Sequence, residues 1–380
     1  MKLLTKRLKL KSFALAGLFV FACAKNEKEE KIVEVEVEKQ VVKDFDFAKV
    51  PTMTALQVQA SGTEMFTDED DKEVNGKVIL YNDDLRAFRV NEMLEIRAIE
   101  GNKYRIRNFL PHTFTNVELQ MYVEGFKAPV KIAFFEAFPP LYEYVGDLPF
   151  SARETFFEDI NGQKISVENI GNLSPSDLKF SLISNDPMLE KMKAIKLNTL
   201  YCFRPYERDN KWGKLTAEDA RNYLPVVMNM AYMFSSDDFE KGIKETPYEF
   251  ENKKGVALNR EQIIRSFIEI PRQDLGVIIE PGLGGLGGGS TFGVRREYIN
   301  NPKSAYYTKS DLGAPWFSSL VMNVWIHEFG HVAGYGHDGN MTYFYDKGKD
   351  AKGLVPVGMA VYQKLLLDGE LPFTKYPYEK

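Results

Sequence analysis

Hydrophobic and polar positions change period along this chain. From Met93 to Ile99 apolar and polar residues alternate, and Lys103 to Arg107, Val117 to Val123 and Val130 to Phe135 are further short runs of strand character. Glu100-Gly101-Asn102 and Glu124-Gly125 separate them with turn residues. Lys77 to Tyr81 is another apolar run, bounded by Asn75-Gly76 and by Asn82-Asp83-Asp84. Short alternating runs at this spacing predict an antiparallel β-sandwich over residues 45–190. The aromatic cluster Phe134, Phe135, Phe138 and Tyr142 falls within it and reads as core.

Helical spacing takes over later. Thr216-Ala217-Glu218-Asp219 is an N-terminal capping signal, and the pattern behind it runs to about Phe234 with Pro225 as a kink point. Ile263 to Ile270 and Gly276 to Glu280 read as strands. Trp316 to Ala333 holds no proline, Pro315 can open it, and Trp316, Leu320, Val324 and Phe329 recur near the helical period. Val355 to Leu367 is a second amphipathic helix, with Met359, Tyr362, Leu365 and Leu366 on or near one face. The fold class expected is α+β, with residues 191–380 as a second domain. A composition of 44% hydrophobic and 13% aromatic residues can supply two cores.

The chain has four histidines, and His327, His331 and His337 fall within eleven residues. On a helix His327 and His331 project from one face a turn apart. Gly334 permits the positive φ that ends a helix, so the chain can turn back and bring in His337. Three protein ligands with a fourth position open describe a catalytic zinc site rather than a structural one. Glu328 can reach water activated there and act as general base. The bland alternative, a buried helix with two incidental histidines, does not account for the glycine and third histidine at these offsets.

His327-Glu328-Phe329-Gly330-His331-Val332-Ala333-Gly334-Tyr335-Gly336-His337 resembles the H-E-x-x-H-x-x-G-x-x-H signature of the metzincin zinc endopeptidases. The resemblance implies His327, His331 and His337 as zinc ligands, Glu328 as general base and a methionine turn beneath the metal. Met341-Thr342-Tyr343 is similar to that turn, with Met341 as its methionine and Tyr343 near the metal, helping to stabilise the oxyanion. Only Asp338, Gly339 and Asn340 separate His337 from Met341, which is shorter than the usual metzincin connection. The competing Met359 belongs to the amphipathic C-terminal helix and is assigned to packing.

The N-terminus reads as a targeting segment. Lys2, Lys6, Arg7, Lys9 and Lys11 precede a short apolar stretch from Phe13 to Ala22. Val20-Phe21-Ala22-Cys23 resembles a bacterial lipobox, with Phe21 unusual in it, which implies cleavage before Cys23 and its lipidation. Residues 1–22 are then a signal peptide, and residues 23–44, almost all charged residues and valine, a solvated tether. The implied location is an outer-membrane or cell-surface lipoprotein facing away from the cytoplasm. Loss of five basic residues with that segment lowers the formal net charge from −5 to about −10, which argues against a nucleic-acid partner. With Cys23 lipidated, Cys202 has no disulfide partner and reads as a buried free thiol.

Two features carry no assigned chemistry. His112 is an isolated loop histidine. The glycine-rich segment Pro281 to Ser290 lacks the ending of a phosphate loop and reads as a mobile loop near the cleft. The function expected is zinc-dependent hydrolysis of peptide bonds in extracellular proteins or glycoproteins. The alternative is a non-catalytic surface lipoprotein that binds protein or glycan. That reading predicts the loss of Glu328 or a histidine, and all four are present.

Overall fold

A computed structural model describes residues 50–123, 126–150, 154–168, 174–206, 209–300, 305–306, 321–342 and 352–378. The expected signal peptide, Cys23 with its tether, Tyr343 and the first part of the Trp316–Ala333 helix lie outside these residues. Among the described residues no helix is long and apolar enough to cross a membrane.

The chain is a mixed α+β protein. Its N-terminal half builds two four-stranded sheets. In one, Phe114–Tyr122 pairs antiparallel with both Val130–Phe138 and Lys179–Ile183, and Thr52–Met53 adds in parallel at the edge. In the other, Leu94–Ile99, Lys103–Asn108 and Tyr142–Asp147 form an antiparallel meander joined by Thr63–Glu64. The sheets share a core, because Phe135 of the first meets Tyr144 of the second edge to face at 5.6 Å. Phe135 and Phe138 are fully buried, whereas Phe134 and Tyr142 are half-buried at the margin.

The run Lys77 to Tyr81 is a strand only at Lys77–Val78; Ile79–Tyr81 turns as a 3-10 helix. Two local features explain the difference. Asn75-Gly76 closes a two-residue hairpin, both residues with positive φ. Asn82 then caps the helix Asp83–Arg86 by accepting the Asp84 N–H, so the chain cannot stay extended.

The C-terminal half is built on a six-stranded sheet. Leu200–Phe203, Arg272–Ile278 and Thr291–Arg295 lie parallel, in that order. Gly285–Gly288 adds antiparallel at one edge, Trp212–Gly213 pairs with the end of Arg272–Ile278, and Phe88–Arg89 adds antiparallel at the other edge. That last strand comes from the N-terminal half, so pairing crosses the expected boundary at residue 190. Phe88 also stacks on Tyr201 at 5.5 Å and touches Phe109, which links the two halves through aromatic rings.

Helices cover the sheet. Ala217–Ser235 starts at the predicted capping box and carries Pro225 inside it. Its Phe234 lies between Phe267 of Arg260–Ile268 and Phe329 of Val321–Val332. Leu354–Leu367 closes the layer with Met359 and Tyr362 fully buried. The strand expected over Ile263–Ile270 is thus mostly helix. Asn259 caps it by accepting the Gln262 N–H, and Ile263, Ile264 and Phe267 share one buried helical face.

Cys202 is a buried free thiol on the strand Leu200–Phe203. Burial pushes its pKa up to about 12. Cys202 is therefore expected to stay unmodified by iodoacetamide at pH 8 in the folded protein and to react once denaturant is added. Peptide mapping that finds it alkylated without denaturant would contradict the packing.

Candidate metal centre

Val321–Val332 presents His327 and His331 one turn apart, with their rings edge to face at 4.7 Å. The helix ends where Gly334 takes φ +93°. The Tyr335 N–H donates to Gly330 O and the Gly334 N–H to His331 O, closing the C-terminal turn and reversing the chain. His337 then meets the other two. His331 Nε2 lies 3.1 Å from His327 Nε2 and 2.7 Å from His337 Nε2.

Backbone carbonyls decide which nitrogen carries the proton. His327 Nδ1 is 2.6 Å from Thr342 O, and His331 Nδ1 is 2.8 Å from Tyr335 O. A carbonyl only accepts, so both Nδ1 atoms donate and both Nε2 atoms keep a lone pair. With both imidazoles neutral the 3.1 Å contact is then between two lone pairs, which a metal ion or a shared proton would relieve. Protonation is disfavoured: burial pushes the His327 imidazole down to about 4, against the opposing Thr342 hydrogen bond, and lowers His331 too. Zinc–nitrogen bonds in a tetrahedral site would hold the nitrogens about 3.3 Å apart, close to the 3.1 Å pair and wider than the 2.7 Å pair. The three histidines can hold a metal ion.

Glu328 stands beside them, with Oε1 3.9 Å from His327 Nε2 and only 4% of the residue exposed. Its neighbour is the glycine-rich segment, which is not a mobile loop at this point. Gly285–Gly288 is a strand paired with Thr291–Arg295, and it lies against the helix. A Cβ on Gly285 would stand 2.7 Å from Glu328 Cγ and Oε1; one on Gly287 would stand 2.4 Å from the Glu328 carbonyl oxygen. Glycine here provides close approach rather than flexibility. The enclosure desolvates the carboxyl and raises its pKa to about 8.

No family model, curated protein or solved structure matches this chain.

Met341 is fully buried, and the turn containing it crosses the site helix at Gly330. A Cβ on Gly330 would lie 3.0 Å from Met341 O and 3.1 Å from the Thr342 methyl, which accounts for a glycine in mid-helix. Thr342 serves two ligands. Its carbonyl accepts from His327, and its hydroxyl donates to Gly336 O, next to His337. His112 stands apart: its Nε2 is 2.9 Å from Asp186 Oδ1, and Asp186 caps the helix Pro187–Lys193. Sequence reasoning missed the carbonyls of Thr342 and Tyr335, since any residue type supplies a carbonyl. It also missed Gly285 and Gly287, whose period of two was the available signal.

Two predictions follow from this geometry. Gly287→Ala must displace backbone against backbone and should lower stability by about 1–3 kcal/mol and weaken metal uptake. Gly284→Ala meets only side-chain atoms at 3.4 Å or more and should cost under about 0.5 kcal/mol. Equal effects in denaturant titrations would remove the glycine cradle from consideration. The His327 imidazole titrates below its ordinary 6.5, so its contribution to stability is present above pH 6.5 and lost as pH falls through about 4. The metal-free protein should lose melting temperature across that window, and His327→Asn should flatten the drop.

Proposed function

We propose that this chain is a zinc-dependent endopeptidase of metzincin type, held by a lipid at Cys23 on the outer side of a membrane. The observation that carries the reading is the convergence of the three histidine Nε2 atoms beside the enclosed Glu328 carboxyl. The side-chain set favours zinc, because neutral imidazoles with an adjacent carboxylate suit that ion and three ligands leave a position for chemistry.

Substrate geometry favours an extended peptide. Gly285–Gly288 ends its sheet, and among the described residues no strand pairs with its outer side. A peptide added along that edge would donate and accept main-chain hydrogen bonds while passing beside Glu328. The substrates proposed are extracellular proteins or glycoproteins.

His327, His331 and His337 would hold a zinc ion, which when bound would supply Lewis acidity for the scissile carbonyl and lower the pKa of water. Glu328 takes the proton of the attacking water and delivers it to the leaving amine. Its enclosure serves this cycle, since a desolvated carboxyl is a stronger base than one in water. The backbone carbonyls of Thr342 and Tyr335 keep the imidazoles oriented throughout. Tyr343 is proposed to assist the oxyanion.

The protein should bind about one zinc per chain and cleave casein or a mucin-type glycoprotein. Glu328→Gln should retain the zinc and lose cleavage by about 100-fold or more. Absence of zinc, or a Gln variant as active as the parent, would overturn the assignment.

A further inference from the structure

The connection from His337 to Met341 is three residues long, yet it must set a ligand at its start and the Thr342 carbonyl just past its end. Asn340 sits in its last position, and it is buried. All four of its polar groups are engaged. Oδ1 accepts the Glu251 N–H at 2.8 Å, and Nδ2 donates to Glu249 O at 3.0 Å. Its backbone N–H donates to Glu251 O at 2.9 Å, and its carbonyl accepts the Leu354 N–H at 3.0 Å. Glu251 opens the hairpin Glu251–Lys253/Val256–Ala257, and Leu354 opens the closing helix.

The rest of the connection is held by the same hairpin. Asp338 O accepts the Lys254 N–H at 3.1 Å, and the Gly336 N–H donates to Asn252 Oδ1 at 3.3 Å. Gly339 approaches so closely that a Cβ would stand 1.8 Å from Glu251 O. His337 therefore lies within a segment whose backbone is tied to the hairpin on both sides, and Thr342 follows two residues after the strongest tie.

We propose that Asn340 is a positioning residue for the metal. It clamps the short connection between hairpin and closing helix, so that the His337 ring and the Thr342 carbonyl, which orients His327, are both held in register with His331. Asparagine suits this position because one side chain of that length supplies an acceptor and a donor; aspartate lacks the donor and alanine both. The inference rests on the metal-centre part of the proposed function, and not on peptide hydrolysis.

Asn229 provides a matched comparison. It too is buried and clamps backbone, accepting the Phe373 N–H at 2.9 Å and donating to Phe373 O at 2.7 Å and to the Tyr362 hydroxyl at 3.3 Å, partners that lie outside the His337–Thr342 connection. In the full chain, zinc affinity is read by competition with a chromophoric chelator, metal geometry by the visible bands of the cobalt-loaded protein, and stability by the melting temperature of the metal-free form. Asn340→Ala should weaken zinc at least about tenfold, the usual size for loss of a group that orients a ligand, and shift the cobalt bands. Asn340→Asp, which keeps the acceptor, should lose less and carries the test if the alanine variant does not fold. Asn229→Ala should lower the melting temperature while leaving zinc affinity and cobalt bands unchanged. If the Asn340 variants lower only the melting temperature, as at Asn229, the inference is overturned. Failure of the unaltered protein to take up zinc or cobalt overturns it together with the metal reading, whereas metal uptake without peptide cleavage counts against the hydrolase alone.

Discussion

The arrangement at the centre of this molecule depends on two imidazole N–H groups held by backbone carbonyls. His327 Nδ1 donates to Thr342 O and His331 Nδ1 donates to Tyr335 O. Those bonds fix the tautomers, and the tautomers leave Nε2 lone pairs facing one another at 3.1 Å. Between neutral imidazoles such a contact is unfavourable, and a metal ion among the three nitrogens would relieve it. Both carbonyls lie beyond the helix that carries the histidines. The reversal at Gly334 and the turn at Met341 are therefore parts of the site and not merely its connections.

The glycines make the complementary contribution by absence. Gly285 and Gly287 let an edge strand lie directly on the first turn of the signature, enclosing Glu328 without any side chain between them. Enclosure has opposite consequences in the two metal states. Without a cation the carboxyl is pushed up to about 8 by desolvation and favours its protonated form at neutral pH. A dication held by the histidines would reverse the balance, because an opposite charge at short range in a poorly solvated place acts strongly. If the histidines hold a metal ion, its uptake and the ionisation of Glu328 would be linked.

Much of this was legible in the amino-acid order, and the rest was hidden for identifiable reasons. The spacing of His327, His331 and His337 and the positive φ of Gly334 follow from helix geometry, which residue spacing reports directly. Thr216 and Asp219 marked their helix because a capping box is a local hydrogen-bond pattern. Ile263 to Ile270 was ambiguous, since a short apolar run suits a strand or a buried helix equally well; the Asn259 cap was the overlooked clue. The glycine-rich segment misled because glycine has two uses, conformational freedom and close approach. Only the partner, Glu328, some forty residues away, reveals which one applies. Asn340 was passed over as a spacer because its partners are backbone groups of Glu249 and Glu251, which composition does not report.

The N-terminal half bears on the site through the sheet. Its strand Phe88–Arg89 pairs with Leu200–Phe203, and Phe88, Phe109, Tyr201 and Phe203 form one aromatic group across the junction. Polar ties run in parallel. Asp71 accepts the Ala217 N–H at the start of the long helix, Tyr81 OH donates to Leu215 O, and Arg221 donates to Phe66 O. Arg204 meets Asp83 through two hydrogen bonds of 2.7 Å. These contacts meet the start of Ala217–Ser235 and the strand beside Arg272–Ile278. Tyr223 of that helix in turn packs on Trp325 of the helix that carries His327 and His331, and its hydroxyl donates to Gly276 O in the sheet. An N-terminal unit that served only as a spacer would not need to place a strand in the sheet and a cap on the helix that support the histidines. The physical role these contacts assign to it is support of the elements that carry the three histidines.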